Sequence, residues 1–305
     1  MKKLGLLLIL LALAGLVWLF IPWHGDAPDV DASGDPARGE YVLAMGGCVA
    51  CHTDEKNGGA FLAGGRALAT PFGTFHSPNI TPDPETGIGG WTTGEFVRAM
   101  RDGLSPDGQH YYPSFPYPSY ARMTQQDIVD LKAYLDTVEP VGAPFKGHDL
   151  GFPFNIRQTL AGWKLLFLDA EPFEPDLAQS ESWNRGAYLV RGPGHCGECH
   201  TPRNPLGGPD DSRYLAGNPV GAEGKATPNI TPHETGIGDW SAVDIAFALE
   251  SGLTPDYDSF GGGMGEVVDD ATSKLSEEDR DAIAEYLLSL PPVESAVKKE
   301  EPSEN

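Results

Sequence analysis

All four cysteines of this 305-residue chain fall in two copies of one pentapeptide, Cys48-Val49-Ala50-Cys51-His52 and Cys196-Gly197-Glu198-Cys199-His200. None remains for a disulfide framework or an isolated nucleophile. The pattern C-x-x-C-H is the attachment signature of c-type haem: both thiols become thioethers on the porphyrin, and the histidine stands under the iron as its proximal ligand. A structural zinc site needs four nitrogen or sulfur ligands closing a tetrahedron, which only two distant segments could supply here. A redox dithiol belongs beside a βαβ pattern, and none is visible. The motifs therefore predict two covalent haem groups, attached at Cys48, Cys51, Cys196 and Cys199, with His52 and His200 on the irons.

The N-terminus reads MKKLGLLLILLALAGLVWLFIPW, in which Lys2 and Lys3 precede an uncharged run from Leu4 to Trp23. That run has about the ~20 residues a membrane-spanning helix needs. Cleavage after Ala12-Leu13-Ala14 is the alternative, but it would leave an apolar Gly15–Trp23 at the new terminus. Residues 1–23 are expected to stay as an uncleaved transmembrane anchor in a bacterial inner (cytoplasmic) membrane. The lysines stay inside, and the remainder lies in the periplasm, where haem is attached. Beyond the anchor the chain is polar and acidic; over all 305 residues 44 Asp and Glu stand against 21 Lys and Arg, for a net charge of −23. This excludes nucleic acid, which needs a positive footprint, and favours steering toward a basic partner surface.

Longer segments repeat around the motifs. RGEYVLAMGGCVACHT (38–53) returns as RGAYLVRGPGHCGECHT (185–201), PNITPDPETGIGGW (78–91) as PNITPHETGIGDW (228–240), and TQQDIVDLKAYLDTVEPV (124–141) as SEEDRDAIAEYLLSLPPV (276–293). Each copy predicts three helices with Gly- and Pro-rich loops between them. Asp35-Pro36 supplies an N-cap and a first-turn proline. Thr92 with Glu95 forms a capping box for a helix ending near Gly103, and Thr124 with Asp127 starts a helix along Ile128, Leu131, Tyr134 and Leu135. Ser182, Ser241 with Asp244, and Ser276 with Asp279 repeat the plan. No strand signal stands out, so the fold class is all-α. The expected organisation is an anchor (1–23), a linker (24–34), a first domain (35–141), a connector (142–181), a second domain (182–293) and a disordered tail (294–305). The connector GHDLGFPFNIRQTLAGWKLLFLD is too apolar for a free linker and is expected to pack across both domains.

The stretches CVACHT, TPFGTFHSPNITPDPETGIGGW, YPSFPY, CGECHTPRN and GGGMGEVV resemble the cytochrome c subunits of membrane-bound alcohol, gluconate and aldehyde dehydrogenases. The resemblance covers most of 39–292 and implies two tandem class I cytochrome c domains. It also implies a dehydrogenase as electron donor and a cytochrome or oxidase of the respiratory chain as acceptor. Members of that group usually carry three haems, whereas this chain has two motifs. Met264, among glycines before the last helix, stands where class I cytochromes present a distal methionine, which raises the iron's potential. Counting the same distance from the repeated tryptophan puts Phe115 at the matching place in the first copy. Met123 aligns with Leu275 at a packing position. His110 is the candidate distal ligand there, with His76 or an open position as alternatives. His195 reads as a surface residue. With no G-x-S-x-G, H-E-x-x-H or dinucleotide glycine fingerprint, an electron carrier is expected. A dihaem enzyme of the peroxidase or thiosulfate-oxidising type, or a structural anchor subunit, are the alternatives.

Overall fold

Asp35 starts the first helix, α1 (Pro36–Met45), by accepting from the backbone N–H groups of Ala37 and Arg38. A computed structural model describes residues 3, 4, 15, 27–221, 224–295 and 297. Apart from residues 3, 4 and 15, the anchor expected over 1–23 lies outside the described residues, as does most of the tail. Among the described residues no helix is long and apolar enough to cross a membrane. Helices α2 (Cys48–His52), α3 (Thr93–Asp102), α4 (Tyr117–Tyr120) and α5 (Gln125–Leu135) follow in the first half. Helix α6 (Leu160–Phe167) belongs to the connector. The second half holds α7 (Glu181–Arg191), α8 (Cys196–His200), α9 (Ala242–Ser251), α10 (Gly262–Asp270) and α11 (Glu277–Ser289). The capping boxes at Thr92/Glu95 and Ser241/Asp244 are formed, and both helices end on a left-handed glycine, Gly103 or Gly252. The cap of α7 is Ser180 rather than Ser182: its hydroxyl accepts from the Trp183 N–H three residues on, so the helix starts at Glu181.

The chain is mostly helical, but the all-α expectation needs correction. A three-stranded antiparallel sheet joins β1 (Ala67–Thr70), β2 (Gly73–His76) and β3 (Asp149–Leu150). Four-residue strands are too short for alternation to show, and β3 comes from the connector, far along the sequence. Thr70 Oγ1 shapes the hairpin turn by accepting from Phe72 N–H and donating to the Gly73 carbonyl. Gly73 is required because a Cβ there would lie 2.3 Å from the Asp149 carbonyl oxygen.

The repeated R-G-x-Y of α1 and α7 explains how the two halves join. Gly39 and Gly186 let α1 and α7 touch the last helix of their own half; a Cβ on either would lie 1.9 Å from a backbone carbonyl oxygen, of Asp130 or of Ala282. Arg38 pairs with Asp127 at 2.6 Å and Arg185 with Asp279 at 2.6 Å, each within its half. The tyrosines cross over. Tyr41 donates to Asp279 at 2.7 Å and accepts from Ser276 N–H at 3.0 Å; Tyr188 donates to Asp127 at 2.5 Å and accepts from Thr124 N–H at 3.3 Å. Each hydroxyl thus seats on the first turn of the other half's last helix. Hydrogen bonds to charged groups contribute about 1.5–3 kcal/mol each, and one apolar core runs through both halves, from Val42, Ile128 and Leu135 to Leu189, Ile245 and Ile283.

The connector packs on both halves. The Phe154 carbonyl accepts from the Tyr112 hydroxyl, Lys164 donates to the Asp102 and Gly103 carbonyls at the end of α3, and the Trp163 indole donates to the Leu206 carbonyl. Phe173 N–H reaches the Arg122 carbonyl, beside an Arg122–Asp169 ion pair at 2.7 Å.

Candidate functional site

Each C-x-x-C-H folds as one short helix preceded by a left-handed residue. Gly47 takes φ +56° before α2, and His195 takes φ +39° before α8. On one turn of helix the two cysteines and the histidine of each motif stand at i, i+3 and i+4, the spacing that shares a face. Around them the halves use the same bonds. Thr53 Oγ1 accepts from Leu62 N–H, and Thr201 Oγ1 accepts from Leu215 N–H, both at 3.1 Å. His52 Nδ1 lies 2.8 Å from the Pro78 carbonyl, and His200 Nδ1 lies 2.8 Å from the Pro228 carbonyl. A carbonyl only accepts, so Nδ1 carries the proton in both rings and the lone pair sits on Nε2. That fixes the ring orientation and tautomer a ligating histidine needs. Burial lowers the pKa of both imidazoles, against the opposing pull of these bonds, and keeps them neutral.

The four thiols are unpaired. Burial pushes Cys48 and Cys196 up to about 12 and Cys199 up to about 11, and raises Cys51. Cys48, Cys51 and Cys196 are half-buried and Cys199 is exposed; a redox dithiol needs a lowered thiol pKa, the opposite of the shift these four show. The donor set that is built, two thiols and one Nε2 lone pair per helix, fits covalent haem.

The two motifs meet. The Gly46 carbonyl, two residues before Cys48, accepts from the Tyr120 hydroxyl at 3.0 Å and faces His195 Nε2 at 3.3 Å. His195 directly precedes Cys196, and its ring meets that of Tyr120 edge-on with centroids 5.7 Å apart. His195 is therefore not the surface residue expected; it is partly buried between the halves, and burial lowers its pKa. Further contacts cross nearby. Arg66 donates to the Ala50 carbonyl inside α2 and also to Glu266 of α10, which pairs with Lys56 at 2.9 Å. Ser119 of α4 donates to Glu198 of α8 at 2.8 Å.

The expected distal residues are placed as follows. Met264 lies partly buried in α10 rather than in a flexible loop, because the chain after Gly261 coils into a helix that packs on α2. His110 is buried; its backbone bridges to Leu104, and its carbonyl accepts from Arg157 of the connector at 3.0 Å. Burial, with Lys164 and Arg157 nearby, lowers the His110 pKa to about 4. His76 faces Asp149 at 3.3 Å in the sheet, and Met123 is a core side chain 1% exposed. Phe115 packs edge-on to Tyr111 and against Tyr120. Asn79 and Asn229 brace the chain after each last helix through the Val141 and Val293 carbonyls, at 2.7 and 2.8 Å. Sequence reasoning missed Tyr120 and Gly46; the only signal was the unexplained His195 standing where the first copy has Gly47.

A cytochrome c family model matches residues 36–139. A dihaem c-type cytochrome of Cereibacter sphaeroides is 52% identical over 297 residues, covering 95% of this chain and 98% of that protein. The chain belongs to the cytochrome c family. It carries two covalently attached haem c groups. The cytochrome subunit of fructose dehydrogenase from Gluconobacter japonicus is 42% identical over 258 residues, covering 84% of this chain and 52% of that protein. The cytochrome c subunit of a quinone alcohol dehydrogenase from Gluconacetobacter polyoxogenes is 42% identical over 279 residues, covering 87% and 58%. The chain thus spans little more than half the length of these two subunits.

Proposed function

We propose that this cytochrome is an electron-carrying subunit that receives electrons from a periplasmic dehydrogenase and passes them to a cytochrome or oxidase of the respiratory chain. The observation that carries this reading is the duplicated histidine–carbonyl bond, at 2.8 Å in both motifs, which holds two Nε2 lone pairs in equivalent settings. Similarity to subunits of fructose and alcohol dehydrogenases supports a dehydrogenase as donor. Bound haem supplies a one-electron couple whose potential is set by its ligands, burial and charge.

The residues of the chain divide the remaining work. Cys48 and Cys51 hold the first haem and Cys196 and Cys199 the second, with His52 and His200 as proximal ligands. Met264 is the distal ligand of the second haem and His110 that of the first. Residues 35–141 and 182–293 act as tandem class I domains, and the connector packs on both. Residues 1–23 anchor the protein in the inner membrane with both domains in the periplasm. A redox titration followed by optical and EPR spectra, on protein taken from the membrane fraction, tests this directly. Two low-spin haems of different potential support it. A protein recovered from the soluble periplasm with residues 1–14 removed contradicts the anchor.

The second reading is a dihaem enzyme acting at the first haem. It is favoured by one observation, Phe115 standing at the place that matches Met264. Rapid carbon monoxide or cyanide binding to one haem, with peroxide or thiosulfate turnover, would decide for it.

A further inference from the structure

We propose that Gly46, Tyr120 and His195 form the electron-exchange junction between the two haem-attachment helices, with His195 as the positioning residue that fixes their separation. The proposal rests on the reading that both motifs hold haem, and extends it to how the two sites communicate.

Three observations converge on one carbonyl. The Gly46 oxygen accepts from Tyr120 at 3.0 Å and from His195 Nε2 at 3.3 Å, so a single acceptor ties the segment entering Cys48 to the residue entering Cys196. The Tyr120 ring meets the His195 ring at 5.7 Å and is 5% exposed, which keeps water out of the contact. His195 holds a left-handed backbone, φ +39°, that favours glycine and that the first copy gives to Gly47. A non-glycine residue in that conformation persists only where its surroundings over-determine it, and such strain gathers at functional positions. The side chain that justifies it here is the imidazole on Gly46.

In the exchange a single electron passes; one iron is oxidised as the other is reduced, and no bond or proton moves. The junction contributes distance and rigidity. The Tyr41–Asp279 and Tyr188–Asp127 bonds hold the halves together elsewhere on the same interface, and so provide an internal control.

The test uses the full-length holoprotein and pulse radiolysis, in which reduction of one haem is followed by a concentration-independent redistribution to the other. His195→Gly restores the residue type of the first copy and relieves the backbone, and Tyr120→Phe keeps the ring and deletes one hydroxyl. His195→Gly is expected to slow redistribution by about tenfold or more, the scale on which a small misplacement of reacting partners changes rates. Tyr120→Phe should slow it less, with haem content, optical spectra and both midpoint potentials unchanged in either variant. Tyr41→Phe, which loosens the interface away from the junction, should leave redistribution at the wild-type rate. Wild-type redistribution in His195→Gly and Tyr120→Phe overturns the proposal. Equal slowing by Tyr41→Phe also overturns it, since any loosening would then suffice. A wild-type protein with two haems but no redistribution phase defeats the junction and leaves the carrier reading standing. Normal redistribution without electron exchange with any dehydrogenase or cytochrome defeats the carrier reading and leaves the junction.

Discussion

Replacing Gly186 with alanine adds one methyl group where α7 and α11 touch. The new Cβ would lie 1.9 Å from the Ala282 carbonyl oxygen and 2.9 Å from Tyr286 Cβ, whereas ordinary contact begins at 3.4 Å. The helices must therefore separate by 3.4 − 1.9 = 1.5 Å at this point, because the obstacle is backbone and has no rotamer to yield. Overpacking of this kind costs about 1–3 kcal/mol, and a rigid backbone contact belongs at the upper end. Alanine's better helix propensity returns about 1 kcal/mol, which leaves a net loss of about 2 kcal/mol. With a urea dependence of about 2–3 kcal/mol per molar, the unfolding midpoint should fall by about 0.7–1 M. The assay is urea unfolding of the holoprotein followed by far-UV circular dichroism. Gly142→Ala is the control, since a Cβ there meets nothing within 4 Å, and its midpoint should hold. A Gly186→Ala midpoint at or above wild type would refute the close-contact argument for the repeated glycine.

Met264→Ala is expected to abolish the methionine-to-iron charge-transfer band and lower one midpoint potential, while substitution of His110 alters only the other haem; a band merely halved by Met264→Ala would bring Met123 back as a ligand. Electron exchange with a basic partner cytochrome should slow as salt rises, because a net charge of −23 steers association through an unscreened field; stopped-flow rates flat with ionic strength would show apolar docking. Burial raises the Asp279 pKa, but the bonds from Arg185 and Tyr41 outweigh it and hold the carboxyl below its ordinary value. A depressed native pKa gives stability that is present above about pH 4 and is lost as pH falls through the native value. Asp279→Asn should therefore flatten the acid limb of a urea-midpoint-against-pH curve, and an unchanged limb would remove the pair from the account.

The helix starts could be read because their signals are local. Asp35, Thr92, Thr124, Ser241 and Ser276 each cap a backbone N–H within three residues, a distance along the chain that sequence displays directly. The same locality made the haem helices legible, since five consecutive residues hold both thiols and the imidazole. What depended on distant partners stayed hidden. The β1–β2 hairpin is closed by Asp149–Leu150 from the connector. The R-G-x-Y repeat was visible, but which half each side chain serves was not, because Arg38 pairs at home while Tyr41 crosses over. His195 misled for a related reason: a polar residue beside a surface-type motif becomes interior only when the other half covers it with Tyr120 and Gly46. The helix holding Met264 was obscured by three consecutive glycines, which argue for a loop by propensity, and the helix packs against α2 of the other half.

Both C-x-x-C-H helices carry covalent haem. Intact-mass spectrometry of the purified protein in denaturing acid tests it most directly, repeated on Cys48→Ala/Cys51→Ala and Cys196→Ala/Cys199→Ala double variants. A mass excess of two haems that survives denaturation is expected in the wild type, and of one haem in each double variant. A wild-type mass with one haem or none, or a variant that keeps both, would contradict it.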